Sequence, residues 1–482
     1  MSPLLWLIGT AFATSTADDS LDPALSVVDR LARSTGADVL YGARTASAVG
    51  LAQRWSRVVS ESPEVDGVLL PELHHEDWTL ALRPMGRLVA GDLVPSRQLG
   101  DRELGMLGVR ARMDTRAYWR SVEVMAAPEL RVDEFDAMVA LPLGWAGIHT
   151  THWRAGFGVE ERWIGPGRHG GLMLSDHARP APLGSVAHEG RLGDRWGRVR
   201  AEAGVGWLDA ARSDVNNPGW LLMDVRWAPH PMVEIGGTRM SLFAGSGRPA
   251  PKLGQLILPT DPHVEGDPDG LLPDQDEIAA VDVRLTLPVG PWLHGPRSNA
   301  GQGFALDYVE VWLQYGGEDV IARSIGPLPV PSLAGIANLW GGEVGLGALT
   351  ANIEWARVMD DRFRWYTGHR IYHEGFVQSG QTMGHPNGGD SRTWTMAIKW
   401  MPGPWGVEVL GADRIKVGAV DMAQGQLRTL SLDETAKTIG VRGWWMKDDR
   451  GWWHGGFSVE QTNNMGFQPV AAQRSWRVHI GR

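Results

Sequence analysis

Two stretches of this chain concentrate side chains suited to binding a polar ligand. The first runs from Glu161 to Pro180 and offers Trp163, Arg168, His169, Asp176 and Arg179. The second runs from Tyr372 to Arg392 and offers Gln378, Gln381, His385, Asn387, Asp390 and Arg392. Planar hydrogen-bonding groups beside aromatic faces suit sugar rings, and guanidiniums add recognition of an acidic polymer. The same groups also suit an internal brace, in which carboxylates and guanidiniums tie walls together. Composition alone leaves both uses open. Arg179-Pro180 and Arg248-Pro249 have the look of structural corners.

Motifs for covalent catalysis are missing. The sequence has no Gly-x-Ser-x-Gly, no phosphate-cradling Gly-Lys-Ser and no His-Glu-x-x-His. Gly245-Ser246-Gly247 is too short for a nucleophile elbow and reads as a turn. Ser391, His385 and Asp390 can be drawn into a triad. Adjacent strand positions point to opposite faces, however, so Asp390 and Ser391 cannot serve one site from a strand. The acidic run between Asp261 and Asp282 lacks the ordered spacing of a calcium loop, and His74-His75-Glu76-Asp77 has no partner His. There is no cysteine, which removes thiolate metal sites and a cysteine nucleophile. A net charge of −10 argues against a nucleic-acid partner. The chain therefore reads as a binding protein, not an enzyme, with no cofactor and no metal.

What must position those stretches is a set of alternating strands. Val199, Ala201, Ala203, Val205 and Trp207 oppose Arg198, Arg200, Glu202, Gly204 and Gly206. Val281, Val283, Leu285 and Leu287 oppose Asp282, Arg284 and Thr286, and Trp394, Met396, Ile398 and Trp400 oppose Thr395, Ala397 and Lys399. One face is apolar, often with Trp at an end, and the other is polar. A soluble sandwich would bury the apolar face. An outer-membrane barrel would turn it to lipid, line a wet lumen with the polar face and place Trp at the interfaces. The 24 Trp against 6 Tyr and 9 Phe favour the barrel. At roughly 9–11 residues per spanning strand plus connections, about 18–20 strands fit. The second polar stretch, lying between two such strands, is expected to line the enclosure and connect two of its walls.

The N-terminal region reads differently. Residues 1–13 resemble a signal peptide, with Ala11-Phe12-Ala13 as a cleavage site. Leu21, Leu25, Val28 and Leu31 recur at helical spacing, and a second helical run extends from about Thr45 to Val59. The expected organisation is a signal peptide over 1–13, a periplasmic helical region over 14–70 and an all-β transmembrane barrel over 71–482.

Three segments together resemble the Wzi capsule-assembly family. They are Glu161–Pro180, containing Trp163-Ile164-Gly165-Pro166-Gly167 and Ala178-Arg179-Pro180, then Phe243–Pro249, then His373–Arg392. Order and spacing agree over roughly residues 140–400. The chain departs from the pattern at Ile164, where the family usually has a second Trp, and in a short helical preface. It ends Ile480-Gly481-Arg482 where a terminal aromatic is usual. The resemblance implies an outer-membrane β-barrel of about eighteen strands, with a helical bundle at its periplasmic end. It also implies a non-enzymatic, lectin-like role in attaching capsular or extracellular polysaccharide to the cell surface. The expected partners are that polysaccharide and outer-membrane lipid, with the protein monomeric. A porin or solute channel is the alternative from another class.

Overall fold

The computed structural model describes residues 43–45, 78–91, 107–119, 121–133, 137–193, 195–252, 254, 256, 275–289, 306–325, 328–359, 365–402, 405–417, 420–421, 428–429, 432–446, 452–464 and 472–481. The signal-peptide expectation and the helical runs lie outside them.

Eighteen described strands close into one antiparallel barrel, each paired with its neighbours in the series. They are β1 (Trp78–Gly91), β2 (Leu107–Trp119), β3 (Val122–Asp133), β4 (Ala137–His149), β5 (Trp153–Val159), β6 (Leu183–Arg191), β7 (Arg198–Trp207), β8 (Gly219–His230) and β9 (Val233–Phe243). The second half comprises β10 (Gln275–Pro288), β11 (Leu306–Ile325), β12 (Leu328–Leu346), β13 (Leu349–Val358), β14 (Ser391–Trp400), β15 (Trp405–Lys416), β16 (Glu434–Met446), β17 (Trp452–Asn463) and β18 (Gln473–Gly481). Arg87–Gly91 of β1 pair with Arg477–Gly481 of β18 and close the ring. Closure removes every sheet edge, which a spanning sheet requires because lipid offers no hydrogen bonds.

The burial pattern is inverted relative to a soluble sandwich. On β10, Val281 is 56 % exposed while Asp282 and Arg284 are buried. On β14, Ile398 is 54 % exposed while Thr393 and Thr395 are buried. On β7, Val205 and Trp207 face out while Arg200 and Glu202 face in. Period-2 alternation thus places the apolar face outside, and the barrel reading of the sequence holds. Outward Trp residues cluster near both ends of the wall. Trp400 and Trp405 meet edge-on at 4.9 Å at one end. Trp340, Trp355 and Trp394 form a cluster toward the other, with Trp340 and Trp394 at 5.1 Å.

The two ends differ in connection length. At one end most strands are joined by short turns such as 231–232 and 347–348, the connection 289–305 being the exception. The hairpin at Gly347 needs the left-handed conformation (φ 59°) that glycine adopts without strain. At the other end lie the long connections 160–182, 208–218, 244–274, 359–390 and 417–433. Outer-membrane barrels keep short turns on the periplasmic side and long loops outside. That assigns both polar stretches to the extracellular end.

The lumen is not uniformly wet. On β8 the inward series runs Trp220, Leu222, Asp224, Arg226, all buried. On β9 Leu242 and Met240 precede Thr238 and Glu234, and on β10 Ile278 and Ala280 precede Asp282 and Arg284. On β8–β10 the extracellular half of the lumenal wall is therefore apolar, and a charged layer lies beneath it; on β15–β17 the same level carries Arg414 paired with Glu434 and Glu460. In the charged layer of β8–β10, Arg226 donates to Asp282 at 2.6 Å and to Asp224 at 3.1 Å, and Thr238 donates to Asp224 at 2.7 Å.

An outward charge at mid-wall tests the lipid-facing assignment. Val281→Arg on β10 is expected to lower stability in lipid vesicles by about 2–4 kcal/mol, read from urea unfolding by tryptophan fluorescence. A change well below 1 kcal/mol would place this face in water.

Candidate functional site

Two long connections fold inward and fill the apolar half of the lumen. The first, 160–182, begins with Arg162–Ile164, which pairs antiparallel with Ala43–Thr45. Residues 43–45 therefore lie against this connection. Leu172, Met173 and Leu174 of the first connection pack with Tyr366, Tyr372, Phe376 and Met383 of the second. Wall residues Leu222, Met240, Leu242, Ile278 and Leu339 complete the cluster. Burying each large side chain is worth roughly 1.5–3 kcal/mol, so the two connections are held as core and not as loose loops.

Backbone pairing joins them directly. The Ser175 amide donates to the Met383 carbonyl at 2.8 Å, and Tyr366 Oη donates to the Leu172 carbonyl at 2.6 Å. The same hydroxyl accepts from the His385 amide at 2.8 Å. Gly375 has φ 60° and a Cβ there would collide with the Tyr366 carbonyl, so glycine is required. Ser379 and Gly380, with φ 51° and 75°, make the turn between Val377–Gln378 and Gln381–Thr382.

The wall holds this plug with inward carboxylates and amides. Glu354 of β13 accepts from the Arg168 amide at 2.7 Å, the His169 amide at 3.2 Å and Trp312 Nε1 at 3.3 Å. Gln314 of β11 accepts from the Leu172 amide at 2.8 Å. Arg168 pairs with Glu310 and, at 3.4 Å, with Glu343, and it lies 5.2 Å from the Trp312 ring centroid. His169 Nε2 is 2.7 Å from Asn352 Oδ1.

A third connection, 208–218, contributes unexpectedly. Arg212 forms a fork with Asp214 at 2.8 and 3.0 Å and donates to the Val377 and Gly375 carbonyls. Asp209 receives the Gln378 amide nitrogen at 2.8 Å and the Ser379 amide. Asp214 is held below the usual carboxylate range. Its burial works the other way but is outweighed by the Arg212 hydrogen bond and by the Glu374 and Val215 amides.

The sequence-derived candidates separate into three groups and one residue apart from them. Arg168, His169, Gln378, His385 and Asn387 are tied into the plug, with His385 and Asn387 almost fully buried. Trp163, buried beside the N-terminal strand, belongs with them. Asp176 and Arg179 are half-buried and line a small cleft with Leu174, Pro180 and Met383, over the buried Glu160, Arg162 and Trp220. Burial would raise the Glu160 carboxyl, but Arg154 at 2.6 Å and Arg162 at 2.6 Å hold it down at about 2. Gln381 and Asp390 sit half-buried toward the rim, and the Asp390 carbonyl accepts from the Val417 amide at 2.8 Å. Arg392 does not join the others, because it shares the outward face of β14 with Trp394 and Met396. Ser391 faces inward, is fully buried and donates to the Gly388 carbonyl at 2.8 Å. Sequence reasoning missed Glu310, Gln314, Asp209, Arg212 and Asp214. The signal for the first two was their inward position on a strand. Asp209, Arg212 and Asp214 gave only a polar turn ahead of Asn216-Asn217-Pro218.

The family described as capsule assembly protein Wzi matches the chain over residues 108–467, which include all three connections. The chain belongs to the Wzi family. Wzi from Escherichia coli, an outer-membrane protein involved in group 1 capsule assembly and described as a carbohydrate-binding β-barrel, shares the fold. It aligns at 15 % identity and a TM-score of 0.64, covering 95 % of this chain and 97 % of that one. OprD of Pseudomonas aeruginosa aligns at 10 % identity and a TM-score of 0.50, covering 84 % of this chain and 95 % of that one. No curated protein matches the chain in sequence. Within the Wzi family frame, the segments that carried the resemblance are those that meet in the plug.

Two predictions follow from this geometry. Arg168→Met strands the buried carboxylates of Glu310 and Glu343 and should cost about 3–5 kcal/mol, measured by urea unfolding in vesicles. His385 is held near 3, chiefly by burial and then by His169. The unfolded imidazole binds a proton below about pH 6.5, so stability falls as pH drops from there toward 3. The protection of amides in residues 365–390, taken relative to the intrinsic exchange rate at each pH, should fall across that window, and His385→Gln should flatten the dependence.

Proposed function

We propose that this Wzi-family barrel sits in the outer membrane and binds capsular or extracellular polysaccharide at its extracellular end, holding the polymer at the cell surface without catalysing a reaction on it. One observation carries the reading. The segments that define the family resemblance do not form a channel constriction; they interlock as a braced plug whose outer side is polar. A rigid surface of that kind suits carbohydrate, because the binding groups lose little freedom on contact. Asp176 and Arg179, half-buried at the mouth of a small cleft over the paired Glu160 and Arg162, present planar charged groups on that side. Arg179 supplies a cation for a uronic or otherwise acidic sugar. Gln381 and Asp390, toward the rim, extend the polar face.

A non-enzymatic role accords with the environment of the polar triad considered from sequence. The Ser391 hydroxyl is committed to the Gly388 carbonyl, and the His385 Nδ1 faces the Asn387 amide at 3.3 Å. The OprD-like fold leaves a solute channel as the competing use of such a wall. Fold does not decide between them.

The deciding experiment is deletion of the gene, followed by separate measurement of cell-attached and released polysaccharide. Attachment should fall and released polymer should rise, and restoring the full chain should reverse both. Unchanged attachment would sink the proposal. In planar bilayers the purified protein should pass little current, whereas steady porin-like conductance would favour the channel.

A further inference from the structure

Outward side chains in the extracellular half of the wall are distributed unevenly. On β2–β10 the described ones are mostly apolar, including Val109, Leu130, Phe157 and Val205. The charged ones there, Arg239 and Glu277, pair with each other. On β13–β18 the same face carries Arg357, Arg392, Lys437 and Arg474 against a single carboxylate, Asp413. This cationic sector stands out in a chain whose net charge is −10.

Register divides the sector into two groups, with Ile415 and Asp413 of β15 between them. Arg357 lies directly opposite Arg392 across β13 and β14. Lys437 lies between Asp413 and Gln461, and Gln461 lies opposite Arg474, which donates to it at 3.3 Å. Like charges directly opposite each other in an antiparallel pair are destabilising. Two guanidiniums side by side bind phosphate through paired N–H donors.

The height of the sector identifies what it meets. Trp355 and Trp394 sit two residues closer to mid-wall than Arg357 and Arg392, and they cluster with Trp340. Interfacial Trp marks the boundary between hydrocarbon and headgroups. The guanidiniums just beyond that belt stand at headgroup level on the extracellular side, where long cationic side chains reach the polar layer at little cost. We infer that the outward extracellular face of β13–β18 binds a phosphorylated glycolipid of the outer leaflet. Arg357 and Arg392 clasp a phosphate, and Lys437 and Arg474 extend the contact along the rim. Arg392 thereby acts on the lipid side of the wall and not in the lumenal plug.

The test uses the purified full chain in detergent micelles, titrated with diphosphoryl lipid A and followed by native mass spectrometry and thermal shift. Wild type should bind and gain thermal stability, with affinity falling as ionic strength rises. The Arg357→Gln/Arg392→Gln double variant should bind at least tenfold more weakly, and dephosphorylated lipid A should bind equally weakly to both proteins. Heat-modifiable gel mobility verifies that the variant is folded, and Lys437→Gln/Arg474→Gln provides a second, independent probe with the same expected direction. Undiminished affinity in both double variants would overturn the inference. So would wild-type binding of dephosphorylated lipid A as tight as that of the diphosphoryl form, or displacement of lipid A by millimolar inorganic phosphate.

Discussion

Charge in this molecule is confined by solvent. The outer wall contacts hydrocarbon, so mid-wall ionic side chains must face the lumen, where the described ones are mostly buried. A buried unpaired carboxylate costs several kcal/mol, whereas a paired and hydrogen-bonded one is tolerated. The inward charges are therefore arranged as partners: Arg226 with Asp224 and Asp282, Arg284 with Glu234, Arg442 with Glu408. Glu354 extends the principle to the plug by accepting two backbone amides of the first connection and one indole N–H of the wall. The fixed position of the plug follows from this pairing as much as from apolar contact. Shifting it would strand carboxylates on strands that cannot move to follow.

The wall was legible in the sequence because lipid imposes a strict period of two. On β7, β10 and β14 the faces assigned from alternation are the faces observed. The same parity rule also applied to Arg392, which shares the phase of Trp394, Met396 and Ile398. Grouping it with the lumenal residues followed the composition of its neighbourhood instead of its phase. The layering of the lumen was harder to see. Trp220-Leu221-Leu222-Met223 is a continuous apolar run, because its outward residues face lipid or cover and its inward residues face the plug. Alternation vanishes wherever both faces are dry, and only past Met223 do Asp224 and Arg226 restore it.

The plug was legible in outline and not in detail. A polar, glycine-rich stretch between two strands was expected to line an enclosure and connect its walls, and 359–390 does so. Its partners come from residues some 160 to 200 positions away, as in Arg212 with Gly375 or Tyr366 with Leu172. No local pattern specifies such pairs. Composition narrows the possible roles of Gln378 or Arg168 to bracing or ligand contact, and only the three-dimensional partner distinguishes them. Both side chains are engaged within the protein, and the cleft residues Asp176 and Arg179 lie nearer the surface.

A wall of eighteen strands can carry either a pore or a closed platform, and the similarity to both Wzi and OprD reflects that shared wall. The difference resides in the connections. A pore requires loops that constrict without interlocking, so that water and solute keep a continuous path. Here Leu172–Leu174, Tyr366, Tyr372 and Phe376 form one apolar cluster with the inward wall, and opening a path would expose that core. The Tyr366 hydroxyl, shared between the Leu172 carbonyl and the His385 amide, couples the two connections so that neither can swing away alone. An aqueous path through this half of the lumen would thus require disrupting buried packing, whereas a polymer at the rim requires only that the outer polar side chains stay where the plug holds them. The energetic asymmetry favours a surface that binds over a channel that conducts.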